Sequence, residues 1–193
     1  MRHDIAVDAH RAVSNARAVL AAAVERLAAA GTAPDLLATT VPAHRVLGVI
    51  PRRESYRRNG EGFLLGALLI TASGDVFEPG RIVRASRQVL PGHQSESARA
   101  RRELRQRLLD ARFAEGSTVV IDARPLPLDD IEALRAERGP LVLRDDHRGT
   151  AVLIRWMPGS PDDALTPLDA YLRERLELVL GDRPSAPAGQ GQA

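Results

Sequence analysis

Strand-forming segments of this chain come in pairs that are joined by short turns. The clearest pair begins with the apolar residues 63–71, passes through the turn-forming residues 73–75 and returns over residues 76–84. A second pair is predicted at residues 141–143 and 150–156. Strands joined by tight turns are antiparallel, whereas parallel strands need a long crossover between them. The sequence therefore predicts an α+β fold, with a mainly antiparallel sheet built from hairpins and helices packed on one face.

Two more strands are predicted at residues 45–50 and 117–123, and residues 51–60 are predicted to be a loop. The returning arm of the first hairpin contains Pro79-Gly80. Because proline has no N–H to donate to a neighbouring strand, we expect this arm to be bulged or to lie at an edge near Pro79.

Apolar residues at spacings of three and four predict a long amphipathic helix over residues 5–30, which Gly31 is placed to end. The same spacing predicts a helix over residues 96–113. Asp129 begins a capping-box variant ahead of a short helix, and Thr166-Pro167 marks the start of the last helix. The apolar stripe of the N-terminal helix must be covered, either by the rest of the domain or by a second copy in a homodimer.

Composition divides the chain into three parts. Residues 1–42 are predicted to be the N-terminal helix and a linker that contains Pro34 and Pro42. Residues 43–181 hold the predicted strands and the other helices and form the α+β domain. Residues 182–193 are rich in proline, glycine, alanine and glutamine, and this composition predicts a disordered tail.

All 27 basic residues are arginines, and the chain has no lysine and no cysteine. This composition excludes Schiff-base and P-loop lysines, thiolate nucleophiles, iron–sulfur clusters and cysteine zinc sites. A genome rich in G and C explains the arginine excess without any function. Planar guanidinium forks selected for phosphate or carboxylate would instead give the excess a functional meaning.

The charge is distributed unevenly, although the net charge is only +2. Residues 43–115 hold 14 arginines against 8 acidic residues, whereas residues 116–193 hold 9 arginines against 13 acidic residues. This asymmetry is compatible with an anionic partner for the basic middle. It is also compatible with basic and acidic parts that face each other, within one molecule or across a dimer, and the charge distribution favours this second interpretation.

The predicted loop 51–60 and the predicted helix 96–113 carry most of the central arginines. We expect them to form a cationic face for an acidic partner, with the following contacts: Arg52, Arg53, Arg57, Arg58, Arg101, Arg102 and Arg105. Glu103 and Arg107 form an i, i+4 pair, so part of this helix is an ordinary solvated face. Aromatic residues make up only 3% of the chain, which favours an acidic protein surface or self-association over nucleic acid.

Four residues are weak candidates for catalysis: His93, Asp122, Asp145 and His147. Carboxylate and imidazole are the metal ligands and acid–base groups that remain without cysteine, but aspartate is also common in turns and next to helix starts. No HExxH motif, nucleophile elbow or glycine-rich phosphate loop is present, so we expect no cofactor and no metal. The sequence favours a non-catalytic binding domain; the alternative is a small-molecule hydrolase or transferase with these residues in a pocket at the sheet end.

The stretch from Gly62 to Asp122 contains Gly66-Ala67-Leu68-Leu69, Gly74-Asp75-Val76-Phe77 and Arg101-Arg102. It resembles a group of uncharacterised bacterial proteins from G+C-rich genomes. The resemblance implies no activity and no catalytic residue. The longest uncharged apolar stretch, residues 63–72, is about half as long as a membrane-spanning helix needs to be. We therefore expect a cytoplasmic protein without membrane contact.

Overall fold

The computed structural model describes residues 2–46, 50–87, 95–146 and 149–181. These residues form α-helices, strands and one short 3-10 helix. In chain order they are α1 (Arg2–Ala29), β1 (Asp35–Val41), β2 (His44–Val46), β3 (Ile50–Arg52), β4 (Ser55–Leu65), β5 (Leu68–Ile70), β6 (Val76–Glu78), β7 (Arg81–Arg84), α2 (Glu96–Asp110), β8 (Thr118–Ile121), β9 (Arg124–Pro125), α3 (Ile131–Arg135), β10 (Leu141–Asp146), β11 (Gly149–Ile154), the 3-10 helix (Asp162–Ala164), β12 (Thr166–Pro167) and α4 (Leu168–Gly181).

Seven of these strands form one sheet in the order β7-β8-β1-β4-β5-β6-β9. All neighbouring strands in this sheet are antiparallel except β1 and β8, which are parallel. A second sheet has the order β10-β11-β12, and β2 pairs with β3 in a separate two-stranded ribbon. The prediction of an α+β fold with a mainly antiparallel sheet is confirmed.

The two edges of the large sheet are joined by the chain itself. β7 continues β6 after Pro79-Gly80, and β9 continues β8 after Asp122-Ala123. Phe77 pairs with Pro125, and Arg81 pairs with Ile121. Moving four residues forward from β6 to β7 therefore corresponds to moving four residues back from β9 to β8, as in one continuous antiparallel ladder. Both ladders thus share one register, and the sheet closes into a barrel of five strands, in which β6–β7 and β8–β9 each count as one. The predicted interruption at Pro79-Gly80 is confirmed, because these two residues separate β6 from β7. A Cβ at Gly80 would overlap the carbonyl oxygens of Ile121 and Asp122, so the chains approach closely there.

The barrel has a small inner core and a larger outer one. Leu37, Leu69 and Val120 are buried on the inner face, where Leu37 is the register partner of Val120. Alternate residues of the same strands point outward. Ala38, Tyr56, Val119 and Ile121 lie beneath α2 with Leu104 and Leu108, whereas Phe63, Leu65, Leu68 and Ile70 lie beneath α1 and α4. The helices therefore pack on the outer face.

The N-terminal helix belongs to the main hydrophobic core. Its stripe includes Leu20 and Leu27, which are almost fully buried, and it contacts β11 and α4 of the same chain. Gly31 ends the helix with φ +64°, and the Thr32 amide donates to the Leu27 carbonyl, as in a Schellman cap. Because the chain covers this stripe itself, a second copy is not needed for that purpose.

Several predicted boundaries were wrong, including the following three. The predicted linker before Pro42 contains β1, which pairs with both β4 and β8. Arg57 and Arg58 lie in β4 and not in a loop, because β1 provides the backbone partners for this charged segment. The apolar residues 63–71 are divided by a turn at Gly66-Ala67 into the end of β4 and β5. The predicted tail, residues 182–193, lies outside the described residues. Among the described helices, none is both long and apolar enough to cross a bilayer.

Tyr171 of α4 holds the turn between β4 and β5. Its hydroxyl donates to the Leu65 carbonyl at 3.0 Å and accepts from the Ala67 amide at 2.7 Å. Gly66 between them has φ +64°, and a Cβ there would overlap the Tyr171 hydroxyl. The tyrosine thus satisfies both backbone groups of a tight turn in the core.

We predict that Tyr171→Phe lowers the free energy of unfolding by about 1–3 kcal/mol, because the Ala67 N–H and the Leu65 carbonyl lose their partner in a buried site. Urea unfolding measures this change. Tyr56→Phe is the matched control, since it removes one hydrogen bond to the partly exposed Glu54, which keeps Arg107 as a partner. Equal losses in the two variants would contradict the role of Tyr171.

Candidate functional site

Helix α2 lies across the outer face of the barrel. Ser95 caps its first turn by accepting a hydrogen bond from the Ala98 amide, and Leu104 and Leu108 are its buried residues. They pack with Tyr56 and Val119 in one hydrophobic cluster. This packing leaves most of the charged residues of the helix at the protein surface.

A charged contact ties α2 to the beginning of β4. Glu54 accepts hydrogen bonds from the Arg107 guanidinium at 3.0 Å and from the Tyr56 hydroxyl at 2.9 Å. Burial raises the pKa of Tyr56, and its hydrogen bond to Glu54 raises it further. A groove of about 400 Å³ runs along this contact and is lined by Arg53, Ser55 and Asp110 as well. Glu54 immediately precedes β4, and its period-two spacing from Tyr56 is the sequence signal that could have placed the two side chains on one side of an extended segment.

The two sides of α2 carry different charge. At 100° per residue, Arg101, Arg102 and Arg105 fall on one side of the helix, and Glu96, Glu103 and Asp110 fall on the other. Arg99 and Arg107 lie nearer the acidic residues than the other arginines do, and Arg107 contacts Glu103 at 3.3 Å. We call Arg101, Arg102 and Arg105 the arginine stripe.

The predicted contact residues do not form one patch. Arg53 borders the groove on the acidic side of α2, beside the exposed Arg52, so the helix separates these two from the arginine stripe. Arg58 is paired with Glu61 at 2.7 Å. Arg57 alternates with the buried Tyr56 along β4 and therefore points away from α2.

Most central arginines lack an acidic partner. Among the 14 arginines of residues 43–115, only Arg58, Arg87 and Arg107 have a carboxylate of the described residues within 4.0 Å. The arginine stripe has none, and the buried Nε of Arg102 has no hydrogen-bond partner in the same part of the chain. Nothing in the described ranges links a central arginine to a carboxylate of residues 116–181. Internal neutralisation of the basic middle by the acidic end is thus not seen there.

Asp122 has a structural role at the barrel closure. Its carboxylate accepts hydrogen bonds from the Thr40 amide at 2.8 Å and the Thr40 hydroxyl at 2.6 Å. Its φ is +54°, a left-handed conformation that aspartate and asparagine adopt more readily than most residues. These contacts join the bend between β8 and β9 to β1, which is consistent with the turn role considered from the sequence.

Asp145 is likewise bound to neighbouring side chains. Its carboxylate accepts a hydrogen bond from the Arg135 guanidinium at 2.8 Å and another from the Thr150 hydroxyl at 2.7 Å. The Arg135 hydrogen bond, followed by that of Thr150, lowers the pKa of Asp145. Four cavities of the described part of the chain have neither Asp122 nor Asp145 in their linings. His93 and His147 lie outside the described residues, so the hydrolase or transferase alternative stays a prediction.

Sequence reasoning missed two sites with shifted acids. Asp35 is half-buried, accepts a hydrogen bond from the Leu64 amide at 3.3 Å, and has a pKa that burial raises. Glu137 and Asp162 form a cluster with Arg144 and Arg155, whose hydrogen bonds lower the pKa of both carboxyl groups. No local sequence motif marks either site, because the participating residues come from separate elements.

The described residues contain no group of three or more histidine, aspartate or glutamate side chains arranged to hold a metal ion. Comparisons with models of protein families, with curated proteins and with solved structures found no match to this chain. The resemblance to bacterial proteins from G+C-rich genomes stays a prediction.

We predict that Asp122→Ala lowers the free energy of unfolding by about 1–3 kcal/mol, because Thr40 loses both hydrogen bonds. Asp122→Asn is the control, since asparagine tolerates the left-handed conformation and still has an oxygen for the Thr40 amide. In urea unfolding, the free energy of unfolding of Asp122→Asn should be close to that of the wild type. An unchanged Asp122→Ala variant would refute the structural role.

The cluster around Arg155 predicts a pH dependence of stability. Glu137 and Asp162 have pKa values below their ordinary 4.5 and 3.8, so their stabilising effect is complete above these values. It is lost as the pH falls through the lower folded-state values. We expect the urea concentration at the unfolding midpoint of the wild type to decrease when the pH is lowered below about 4. In the Arg155→Gln variant this decrease should be smaller.

Arg173→Gln is the control for this measurement, since in the described part of the chain Arg173 pairs with the exposed Asp169 one helical turn away and not with the Arg155 cluster. Its pH profile should run parallel to that of the wild type. A parallel profile for Arg155→Gln would show that the cluster does not cause the acid sensitivity.

Proposed function

We propose that the protein is a non-catalytic binding domain that holds an acidic partner on helix α2. The arginine stripe makes the main contact, and Arg52 and Arg53 border the other side of the helix. The supporting observation is that the stripe has no carboxylate partner among the described residues, although acidic residues are plentiful in the chain. Arginines elsewhere, such as Arg135, Arg144 and Arg155, are paired with acids.

The chemistry of the stripe suits an anion. A guanidinium group presents a planar fork of N–H donors that forms two parallel hydrogen bonds with a carboxylate or a phosphate. Arg102 and Arg105 are half-buried, and the buried Nε of Arg102 shows that part of its guanidinium group also lies against the protein. Ordering these side chains before binding lowers the entropy cost of forming a contact.

Affinity for an anion at this surface should depend on salt. The stripe is solvated, so dissolved ions screen its attraction for a charged partner over roughly 10 Å at 0.1 M salt. Long-range attraction also speeds the encounter of oppositely charged partners. The binding domain therefore gains rate and selectivity from the unpaired arginines.

We predict that the wild type binds immobilised heparin, a general polyanion, and that replacing Arg101, Arg102 and Arg105 with Gln lowers the salt concentration needed for elution. The expected cause is the loss of three unpaired charges on one side of α2. On the same column, the double variant Arg52→Gln with Arg53→Gln should show a smaller decrease in the salt concentration needed for elution.

The matched control replaces Arg11, Arg26 and Arg173 with Gln, which removes the same charge from α1 and α4. All variants are checked for unchanged urea unfolding. If the control and the stripe variant elute together, total charge explains retention and the assignment of the surface is wrong.

A further inference from the structure

The charge pattern of α2 narrows the choice of partner. The arginine stripe occupies one side of a single helix, and Glu96, Glu103 and Asp110 occupy the other side. A partner broader than the stripe would bring its negative charge against these carboxylates. Like charges placed together at an interface oppose binding, so the pattern favours a narrow acidic partner.

Nucleic acid fits this surface poorly. A duplex carries one negative charge per roughly 1.7 Å of its axis and would extend its phosphates past the stripe toward the acidic side. Single strands are usually held by stacking on exposed aromatic rings. The aromatic residues packed at α2, Tyr56 and Phe113, are buried.

A second copy of the chain also fits poorly. Its acidic part would have to offer free carboxylates, but Glu137, Asp145, Asp162 and Asp169 are already paired with arginines. Among the described side chains of residues 116–181, the carboxylates without an arginine within 4.0 Å are distributed over separate elements: Asp122, Asp130, Glu132, Asp163 and Glu177. Asp122 and Asp130 are also engaged by backbone amides.

We propose that the arginine stripe binds a narrow acidic segment of a different protein, an inference that rests on the proposed function. Arg101 and Arg105 are separated by about 6 Å along the helix axis. Two residues of an extended chain span about 6.6 Å, so carboxylates at every second position match this spacing. The segment lies along α2, with its carboxylates on the guanidinium forks and its other side chains away from Glu103.

The test measures binding by fluorescence anisotropy at low salt. The probes are a labelled extended peptide with glutamate at every second position, the same peptide with glutamine instead, and a short DNA duplex. We expect the glutamate peptide to bind and the glutamine peptide not to bind. Arg101→Gln with Arg105→Gln should weaken peptide binding by a factor between about two and about thirty, the loss expected when two exposed ion pairs are removed.

Arg101→Lys with Arg105→Lys tests the geometry, because lysine keeps the charge but loses the fork. We expect this variant to bind the glutamate peptide more weakly than the wild type. The control is Arg11→Gln with Arg173→Gln, which removes the same charge from α1 and α4 and should leave peptide binding close to that of the wild type.

The outcomes separate this inference from the proposed function. Tighter binding of the duplex than of the glutamate peptide would overturn the inference and leave an anion-binding domain. Salt-sensitive self-association that Arg101→Gln with Arg105→Gln abolishes, measured by light scattering, would identify a second copy as the occupant and also overturn it. Binding of neither anion, with no self-association, would overturn the proposed function itself.

Discussion

The antiparallel ladder between β6–β7 and β8–β9 joins the two edges of the large sheet. Without it, the sheet would end in two edges with unpaired backbone groups, which invite aggregation. Closure requires a close approach at Gly80 and a left-handed bend at Asp122, and Thr40 of β1 secures that bend. The inner core of Leu37, Leu69 and Val120 depends on the same closure, because these side chains are covered only when the strands curve around them.

Closure also decides where the helices pack. Since the small interior is filled by side chains, the remaining apolar side chains of the barrel point outward and need cover. α1 and α4 cover the part around Leu65 and Ile70, and α2 covers the part around Val119. Because α2 uses only a narrow apolar strip for this contact, much of its circumference remains solvated, and the arginine stripe lies there.

Sequence patterns predicted the helices well and the sheet incompletely. The helix at residues 5–30 and the helix from residue 96 were confirmed, because i, i+4 periodicity and capping are local. β1 was missed, since its flanking prolines indicated a linker and only pairing with β4 and β8 makes it a strand. The cationic residues were recognisable as a group. The sequence did not reveal that α2 separates them or that Arg58 pairs with Glu61. Both features depend on which faces of the helices and strands pack against each other.

The sequence by itself determined the chemistry that this protein has: arginine without lysine or cysteine, a basic middle, and helices and hairpins with local signals. The tertiary structure alone decided that the hairpins close into a barrel, that Asp122 and Asp145 are held by neighbours, and that the stripe on α2 has no carboxylate partner among the described residues. The reason is physical. Helix periodicity and turn chemistry act over a few residues, whereas barrel closure and ion pairing join residues far apart in the chain, such as Thr40 with Asp122 or Glu54 with Arg107.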